Sequence, residues 1–191
     1  MLASGSSRRA DLLDRLGLEF EVETAGVDET RLPDEPAATY VERLARSKAM
    51  SVAGDDKVVV GADTAVVHAG HVLGKPGHPE EARSMLRRLQ GDVHEVFTGV
   101  AVASSDDAVS AVDVTGVKML PMTDDEIAGY VAGGEPMDKA GAYALQGRGG
   151  LFVESITGSP FTVVGLPIHL LPRLMTRLGV DLQGFARDRP V

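Results

Sequence analysis

One aspartate lies inside an apolar run, and its carboxylate is the first candidate for chemistry in this sequence. The run extends from Val58 to Val67 and consists mainly of valine and alanine. β-Branched side chains at this density are typical of a buried central strand. An ionised carboxylate buried without a partner is costly, so Asp63 should lie at the strand's edge in a cleft or contact a cation. A purely structural, salt-bridged aspartate would satisfy the same pattern.

A second candidate is the N-terminal segment Ser4–Arg9, which follows a short apolar strand and precedes a helix predicted to begin near Ser6 or Ser7. Backbone N–H groups, hydroxyls and the positive end of a helix dipole suit such a junction to a phosphate. Arg8 and Arg9 add positive charge in the first helical turn, where arginines are normally disfavoured. Their presence favours an anion between them and the loop. The alternative is an ordinary serine N-cap followed by solvated arginines.

Two lysines and an acidic loop complete the set of candidate residues. Lys48 falls on the apolar face of a helix predicted over 36–54, where it either extends to solvent or directs its ammonium group into a pocket. A hairpin turn after the central strand should return Lys75 to a position near the start of that strand. Asp28 and Glu29 lie in a polar loop and are either metal ligands or solvated side chains.

Hydrophobic periodicity predicts the elements that must position these residues. Apolar or alternating runs predict strands at 19–24, 58–67, 72–74, 95–103, 109–119 and 151–156. Helical spacing, proline and capping residues predict helices over 36–54, 79–90 and 123–133, with a final helical region ending near Gly179. Asp34 and Glu35 are the candidates to cap the first of these helices. We found no internal repeat, and any division into lobes is expected near residue 120.

The composition is that of an ordinary globular domain, and it narrows the function classes. The 191 residues include 43% hydrophobic and 25% charged residues, which suffices for one core. A formal net charge of −9 argues against a nucleic-acid surface, which needs clustered Lys and Arg. The absence of cysteine excludes disulfides and thiolate metal sites. Because we see neither a long apolar run nor a signal-peptide pattern, we expect a cytoplasmic protein without a membrane partner.

Several short motifs, taken in order and spacing, resemble the Maf family of nucleoside triphosphate pyrophosphatases. They are Leu2–Arg9, Gly61–Thr64, Leu73–Pro76, Asp138–Gly147 and Gly158–Pro167. Each motif alone is a weak signal, but together they cover nearly the whole chain. Arg8, Thr64 and Gln146 match the set found in the branch of the family acting on dTTP and UTP, rather than the branch acting on 7-methyl-GTP.

The resemblance implies an α/β fold of the inosine-triphosphatase-like kind, with a mixed central sheet flanked by helices and two lobes around a cleft. It implies one Maf-like domain over residues 1–191. The implied activity is hydrolysis of a nucleoside triphosphate to the monophosphate and pyrophosphate, as housekeeping of the nucleotide pool. A divalent metal cation, Mg²⁺ or Mn²⁺, is the expected cofactor, and a homodimer is the expected assembly.

The resemblance also assigns a catalytic set, formed by Asp63, Lys48 and Lys75. Asp63 takes the position of the family's catalytic aspartate, described there as the proton acceptor, and the lysines take phosphate-contacting positions. An acidic metal-site position falls on Glu29, so Glu29 and Asp63 are the expected metal ligands. Oxygen-only ligands suit a hard cation. Asp63 either accepts the proton from water itself or holds the metal that acidifies the water.

The expected substrate-binding set lies outside this group. Ser4 and Arg9 take phosphate-contacting positions of the family, whereas Arg8, Thr64 and Gln146 take positions associated with base preference. In a pyrimidine such as uracil, two carbonyl oxygens flank an N–H, and a glutamine amide offers both the donor and the acceptor that such a base requires.

Two positions depart from the family pattern. The usual proline after the Gly-Ser pair is replaced by Ser7, and Gly74 stands where an acidic residue is common. Neither change removes a charged catalytic group, so the expected activity is unaffected. Two other functions fit the same pocket: a non-catalytic nucleotide-binding regulator of cell division or septum formation, and a phosphohydrolase that releases orthophosphate from the γ position.

Overall fold

The computed structural model describes residues 1–105 and 107–187 and contains a six-stranded sheet. Its strands are β1 Leu2–Ala3, β2 Val58–His68, β3 His71–Leu73, β4 Val93–Ser104, β5 Asp107–Met119 and β6 Val153–Thr157. The strands are hydrogen-bonded in the order β1-β2-β4-β5-β6, and β3 pairs with β2. β1 runs parallel to β2, whereas β3 and β6 run antiparallel to their partners, so the predicted mixed sheet is confirmed.

The helices of the described chain are short. They are α1 Ser7–Arg15, α2 Ala37–Val52, α3 Pro79–Leu89, α4 Asp124–Ala132, α5 Pro160–Val164 and α6 Leu171–Arg177. Several 3₁₀ turns occupy the glycine-rich part of the chain between Glu135 and Phe152. The longest helix, α2, has 16 residues. No helix within residues 1–105 and 107–187 is long and apolar enough to cross a membrane. Strands and helices together confirm the α/β class.

The chain divides into two compact units, whose boundaries fall inside strands. Unit 1 comprises Met1–Asp63, Thr98–Asp113 and the chain from Gly165 onward, and unit 2 comprises Thr64–Phe97 and Val114–Val164. The division expected near residue 120 is wrong, because β2, β4 and β5 each pass from one unit to the other without a linker. A strand carries no compositional signal at such a point. A single domain over 1–191 and a cleft stay predictions.

In unit 1, the backbone of α2 packs directly on strand backbone at two glycines. A Cβ added to Gly61 of β2 would lie 2.3 Å from the carbonyl oxygen of Ala45 and 2.7 Å from the nitrogen of Ala49. A Cβ added to Gly99 of β4 would lie 2.4 Å from the carbonyl oxygen of Val41. Small buried residues fill the core around this contact: Ala3, Ala45, Ala49, Val52, Val59, Ala101, Ala103 and Ala108. Helix α2 is therefore held closely against β2, beside Asp63.

Unit 2 contains the predicted hairpin and the helices α3 and α4. Ala69 and Gly70 both have positive φ at the β2–β3 turn, as a tight two-residue hairpin requires. The hairpin is confirmed, and Lys75 follows β3 by two residues. The capping box between Thr123 and Glu126 at the start of α4 is also present. The core includes the apolar faces of α3 and α4, with Ala82, Met85, Leu86, Leu89, Ile127, Tyr130 and Val131.

Two local predictions in unit 1 are wrong. The strand expected at 19–24 is a single bridge between Val22 and Leu2, because β1 has only two residues and offers few pairing positions. Neither Asp34 nor Glu35 caps α2 through its side chain. The Glu35 carboxylate is instead engaged by Arg43, with Nε of the arginine 2.7 Å from Oε1.

The contact at Gly61 generates a prediction about stability. Replacing Gly61 with alanine should lower the free energy of unfolding by about 1–3 kcal/mol, because the added methyl group overlaps helix backbone that cannot rotate away. Urea unfolding of both proteins measures this difference. Gly54→Ala is the matched control, since a Cβ at Gly54 meets nothing within 4 Å. A Gly61→Ala protein as stable as the control would show that α2 can move away from β2.

Candidate active site

A lysine of α2 joins two carboxylates in unit 1. Nζ of Lys48 lies 2.7 Å from Oδ1 of Asp63 and 2.7 Å from Oε1 of Glu29. Gly61 and Asp63 are two residues apart in β2, so both face α2. Ala45, which contacts Gly61, lies one helical turn before Lys48. The close approach at the glycine therefore brings the ammonium group to the aspartate. Lys48 and Asp63 are buried, at 7% and 8% exposure, whereas Glu29 is exposed.

Opposing effects act on the pKa of the buried Asp63 carboxyl group. Burial raises the pKa of Asp63 above its ordinary value, and the neighbouring charge of Glu29 acts in the same direction. The positive charges of Lys48 and Arg9 oppose this rise and favour the carboxylate. A carboxylate with a raised pKa holds a proton more readily than a solvated one, which suits a group that accepts a proton from water.

Arg9 is held by hydrogen bonds at the start of α1. Its Nε donates to the carbonyl oxygen of Gly165 at 2.7 Å, and its Nη1 donates to Oγ of Ser4 at 3.0 Å. Both side chains are buried. Ser6 makes no side-chain cap, and its backbone N–H instead donates to Ser4 Oγ at 3.2 Å. Burial lowers the pKa of Arg9, and the negative charge of Asp63 opposes that shift. An ordinary serine cap followed by solvated arginines is therefore wrong for Arg9.

The loop that carries Glu29 is fastened to α2 by its backbone. The hydroxyl of Tyr40 donates to the carbonyl oxygen of Glu29 at 3.0 Å. Nη2 of Arg43 donates to the carbonyl oxygen of Thr30 at 3.1 Å and to Oε2 of Glu35 at 2.8 Å. Hydrogen bonding to Arg43 lowers the pKa of Glu35 to about 2. One helix thus positions both the ammonium group and the backbone beside Glu29.

The remaining predicted residues are placed as follows. Arg8 is half-buried in the first turn of α1, in unit 1. Unit 2 contains the half-buried Thr64, which directly follows Asp63 in β2, and the exposed Lys75 and Gln146. Gln146 precedes the 3₁₀ turn that begins at Arg148. The roles assigned to these four residues stay predictions.

The two expected metal ligands fit a hard divalent cation that is completed by its substrate. In the part of the chain that the structure describes, no three His, Cys, Asp or Glu residues could hold a metal together. Mg²⁺ is commonly bound by one or two carboxylates plus substrate phosphates. Glu29 and Asp63 supply two carboxylates that share one ammonium neighbour. Any cation that they bind therefore competes with Lys48.

The structure brings together two groups of predicted residues, Ser4 with Arg9 and Lys48 with Asp63 and Glu29. The residues that brace the Glu29 loop were not predicted from the sequence. Tyr40 lies inside the helix predicted over 36–54, with no contact assigned to it, and Glu35 was considered only as a cap. A hydroxyl that binds a distant backbone carbonyl leaves no periodic pattern, so only the spacing of opposite charges at Glu35 and Arg43 could have suggested this brace.

Comparison with known proteins identifies a matching family and several similar relatives. The family model described as Maf-like protein matches residues 1–178. A dTTP/UTP pyrophosphatase from Shigella sonnei (strain Ss046) is 51% identical over 170 residues, covering 87% of this chain and 86% of the relative. A dTTP/UTP pyrophosphatase from Anaeromyxobacter sp. (strain Fw109-5) is 50% identical over 195 aligned positions, covering 100% of this chain and 94% of the relative.

A Shigella flexneri relative carries the broader name nucleoside triphosphate pyrophosphatase, at 51% identity over 170 residues and with 87% of this chain covered. The family model and these relatives each match most of this sequence. The chain belongs to the Maf family, and the resemblance that its motifs indicated is confirmed.

Removing the ammonium group of Lys48 should deprive the buried Asp63 carboxylate of this ion-pair partner. We expect Lys48→Met to lower the free energy of unfolding by about 3–5 kcal/mol at neutral pH, because one buried charge loses its partner. Since the pKa of Asp63 is raised in the folded protein, the folded state takes up a proton more readily than the unfolded state. The contribution of Asp63 to the free energy of unfolding is therefore present at acidic pH, and it is lost as the pH rises through the raised pKa of Asp63.

The deficit of Lys48→Met should therefore shrink between about pH 7.5 and pH 5, as measured by urea unfolding at each pH. The double variant Lys48→Met/Asp63→Asn is the control, because it removes both charges and should recover much of the loss. A deficit that is equal at both pH values, or unchanged in the double variant, would contradict an unpaired Asp63 carboxylate as its cause.

Proposed function

We propose that this chain hydrolyses dTTP and UTP to the monophosphate and pyrophosphate. The observation that carries the proposal is the buried Asp63–Lys48 pair, joined by Glu29, in a member of the Maf family. Relatives about as long as this chain and about half identical to it carry the name dTTP/UTP pyrophosphatase. The activity named for those relatives requires a base and several cations, and these residue types are present here.

In the proposed reaction, the oxygen of a water molecule attacks the α phosphorus, and its proton passes to Asp63. The bond from the α phosphorus to the oxygen that bridges the α and β phosphates breaks, and pyrophosphate leaves with that electron pair. Arg9, Lys48 and Lys75 are proposed to stabilise the negative charge of the phosphates, which develops most strongly on the departing group. Ser4 would orient Arg9 and contact phosphate.

Base selection is assigned to Arg8, Thr64 and Gln146. The amide of Gln146 offers one donor and one acceptor, which match a carbonyl oxygen and the N3 hydrogen of uracil or thymine. Cytosine reverses the donor and acceptor at positions 3 and 4, so one group would remain unpaired. Arginine donors and a threonine hydroxyl would complete the recognition of the second carbonyl oxygen.

The proposal includes a divalent cation, Mg²⁺ or Mn²⁺, held by Glu29 and Asp63 together with substrate phosphates. Such an ion, when bound, would neutralise phosphate charge and lower the pKa of the attacking water. We further propose a homodimer that acts in the cytoplasm, where free nucleotides form its substrate pool, without a nucleic-acid or membrane partner. The family resemblance supports the dimer, and the net charge of −9 supports the absence of a nucleic-acid partner.

Identifying the products of dTTP and UTP turnover with Mg²⁺ and Mn²⁺ tests the proposal. We expect pyrophosphate, with Asp63→Asn lowering kcat by about 10²-fold or more because an amide neither accepts the proton nor binds a hard metal well. Circular dichroism checks that the variant is folded. Orthophosphate as the first product would indicate cleavage at the γ position, and tight binding without turnover would indicate a regulator. Near-normal turnover of Asp63→Asn would return Asp63 to a structural role.

Selectivity for uracil and thymine over cytosine should depend on Gln146. Replacing Gln146 with alanine should lower the ratio of kcat/KM for UTP to that for CTP by roughly tenfold or more, because the amide that discriminates between these bases is lost. The dependence of the rate on metal concentration should stay the same. Wild-type enzyme that hydrolyses CTP or GTP as fast as UTP would refute this assignment, although the pyrophosphatase proposal would remain.

A further inference from the structure

Two side chains of unit 2 bind the backbone on both sides of Gln146. The hydroxyl of Tyr130 donates to Oε1 of Glu135 at 2.7 Å and accepts from the N–H of Ala144 at 3.2 Å. Glu135 also accepts from the N–H of Arg148 at 2.9 Å and from the N–H of Gly149 at 3.0 Å. One phenol and one carboxylate, hydrogen-bonded to each other, therefore bind the backbone of segment 144–149 near both of its ends. We call this pair of side chains the Tyr130–Glu135 clasp.

Glycines let this segment approach the clasp. A Cβ added to Gly147 would lie 2.4 Å from Oε2 of Glu135, and a Cβ added to Gly149 would lie 2.5 Å from the hydroxyl oxygen of Tyr130. A larger residue at either position would force the segment or its partner side chain to shift, which would disturb these hydrogen bonds. Ala144 and Gly149 at the ends of the segment are buried, whereas Gln146, Gly147 and Arg148 are exposed. The exposed part of the segment is therefore its middle, which includes Gln146.

The charge of Glu135 strengthens the clasp. Partial burial of the carboxyl group opposes ionisation, but hydrogen bonds from Gly149, Tyr130 and Arg148 outweigh it and lower the pKa of Glu135. Hydrogen bonds to an ionised acceptor are stronger than those between neutral groups. Tyr130 itself is only 2% exposed and belongs to the core of unit 2, so its hydroxyl has a fixed position.

We propose that Tyr130 and Glu135 are positioning residues that set base selectivity by fixing the backbone on either side of Gln146. This inference rests on the proposed function, in which the Gln146 amide distinguishes uracil from cytosine. An amide can reject the wrong base only if its donor and acceptor cannot exchange places or shift to new partners. Because the side chain of Gln146 is exposed, its placement depends on the backbone that carries it, and the clasp restrains that backbone at 144, 148 and 149.

The test compares Tyr130→Phe and Glu135→Gln with the wild-type protein. Phenylalanine removes the hydroxyl, and glutamine replaces one acceptor oxygen with an amide nitrogen that cannot accept from a backbone N–H. We expect the UTP to CTP ratio to fall about five- to tenfold in each variant, mainly through a higher KM for UTP and with little change in kcat. Unchanged ratios in both folded variants would overturn the inference.

Tyr143→Phe and Glu95→Gln are the matched controls. Tyr143 is also a buried tyrosine of unit 2, but its hydroxyl lies 2.8 Å from Nε2 of His94 and not against the segment 144–149. Glu95 is an exposed acid in the same unit. Neither control should change the UTP to CTP ratio. If Tyr143→Phe lowers the ratio as much as Tyr130→Phe, general loosening of unit 2 explains the effect and the clasp does not.

A double-mutant cycle tests whether the clasp acts through Gln146. In the Gln146→Ala background, Glu135→Gln should leave the UTP to CTP ratio unchanged, because the group that it positions is already absent. A further fall in the double variant would overturn the inference. Dissociation constants for UTP and CTP should be measured beside the rates. A protein that binds UTP selectively without releasing pyrophosphate would refute the proposed function while the clasp is still tested by binding.

Discussion

The buried ion pair between Asp63 and Lys48 is the interaction on which the candidate site depends. Moving a carboxylate and an ammonium group out of water is costly, and an apolar pair of similar volume would often be at least as stable. A gain in stability alone therefore does not account for the pair. It also constrains the fold, because the lysine reaches the aspartate only if its helix lies directly on the strand, and Gly61 provides that close contact.

The charged side chains of the candidate site in unit 1 differ in their exposure to solvent. Arg9, Lys48 and Asp63 are buried, whereas Glu29 is exposed and shares the ammonium group with Asp63. A buried group is restrained by its neighbours and needs no reorganisation when charge develops on a substrate. An exposed carboxylate can exchange its partner at little cost, because water screens the interaction that it loses. Glu29 is thus the member of this charged group that can exchange its ion-pair partner most readily.

Local patterns predicted much of the fold and the identity of the charged residues. The valine-rich run around Asp63, the hairpin at Ala69 and Gly70, and the capping box at Thr123 depend on a few neighbouring residues, and each was found. The unit boundaries and the supporting residues could not be predicted in this way. A strand that passes between units has no breaker, and a tyrosine hydroxyl that binds a distant backbone group has no sequence period. Site roles came from the resemblance, because composition and spacing do not distinguish a base from a structural acid.

Both units use the same physical means to hold a loop that carries a candidate residue. In unit 1, Tyr40 and Arg43 bind backbone carbonyls beside Glu29, and in unit 2 the Tyr130–Glu135 clasp binds backbone amides beside Gln146. Bonds to backbone restrain a loop without involving its exposed side chains. The side chain that each loop carries can then be substituted while the loop keeps its backbone hydrogen bonds, so Glu29 and Gln146 can be altered independently of each other.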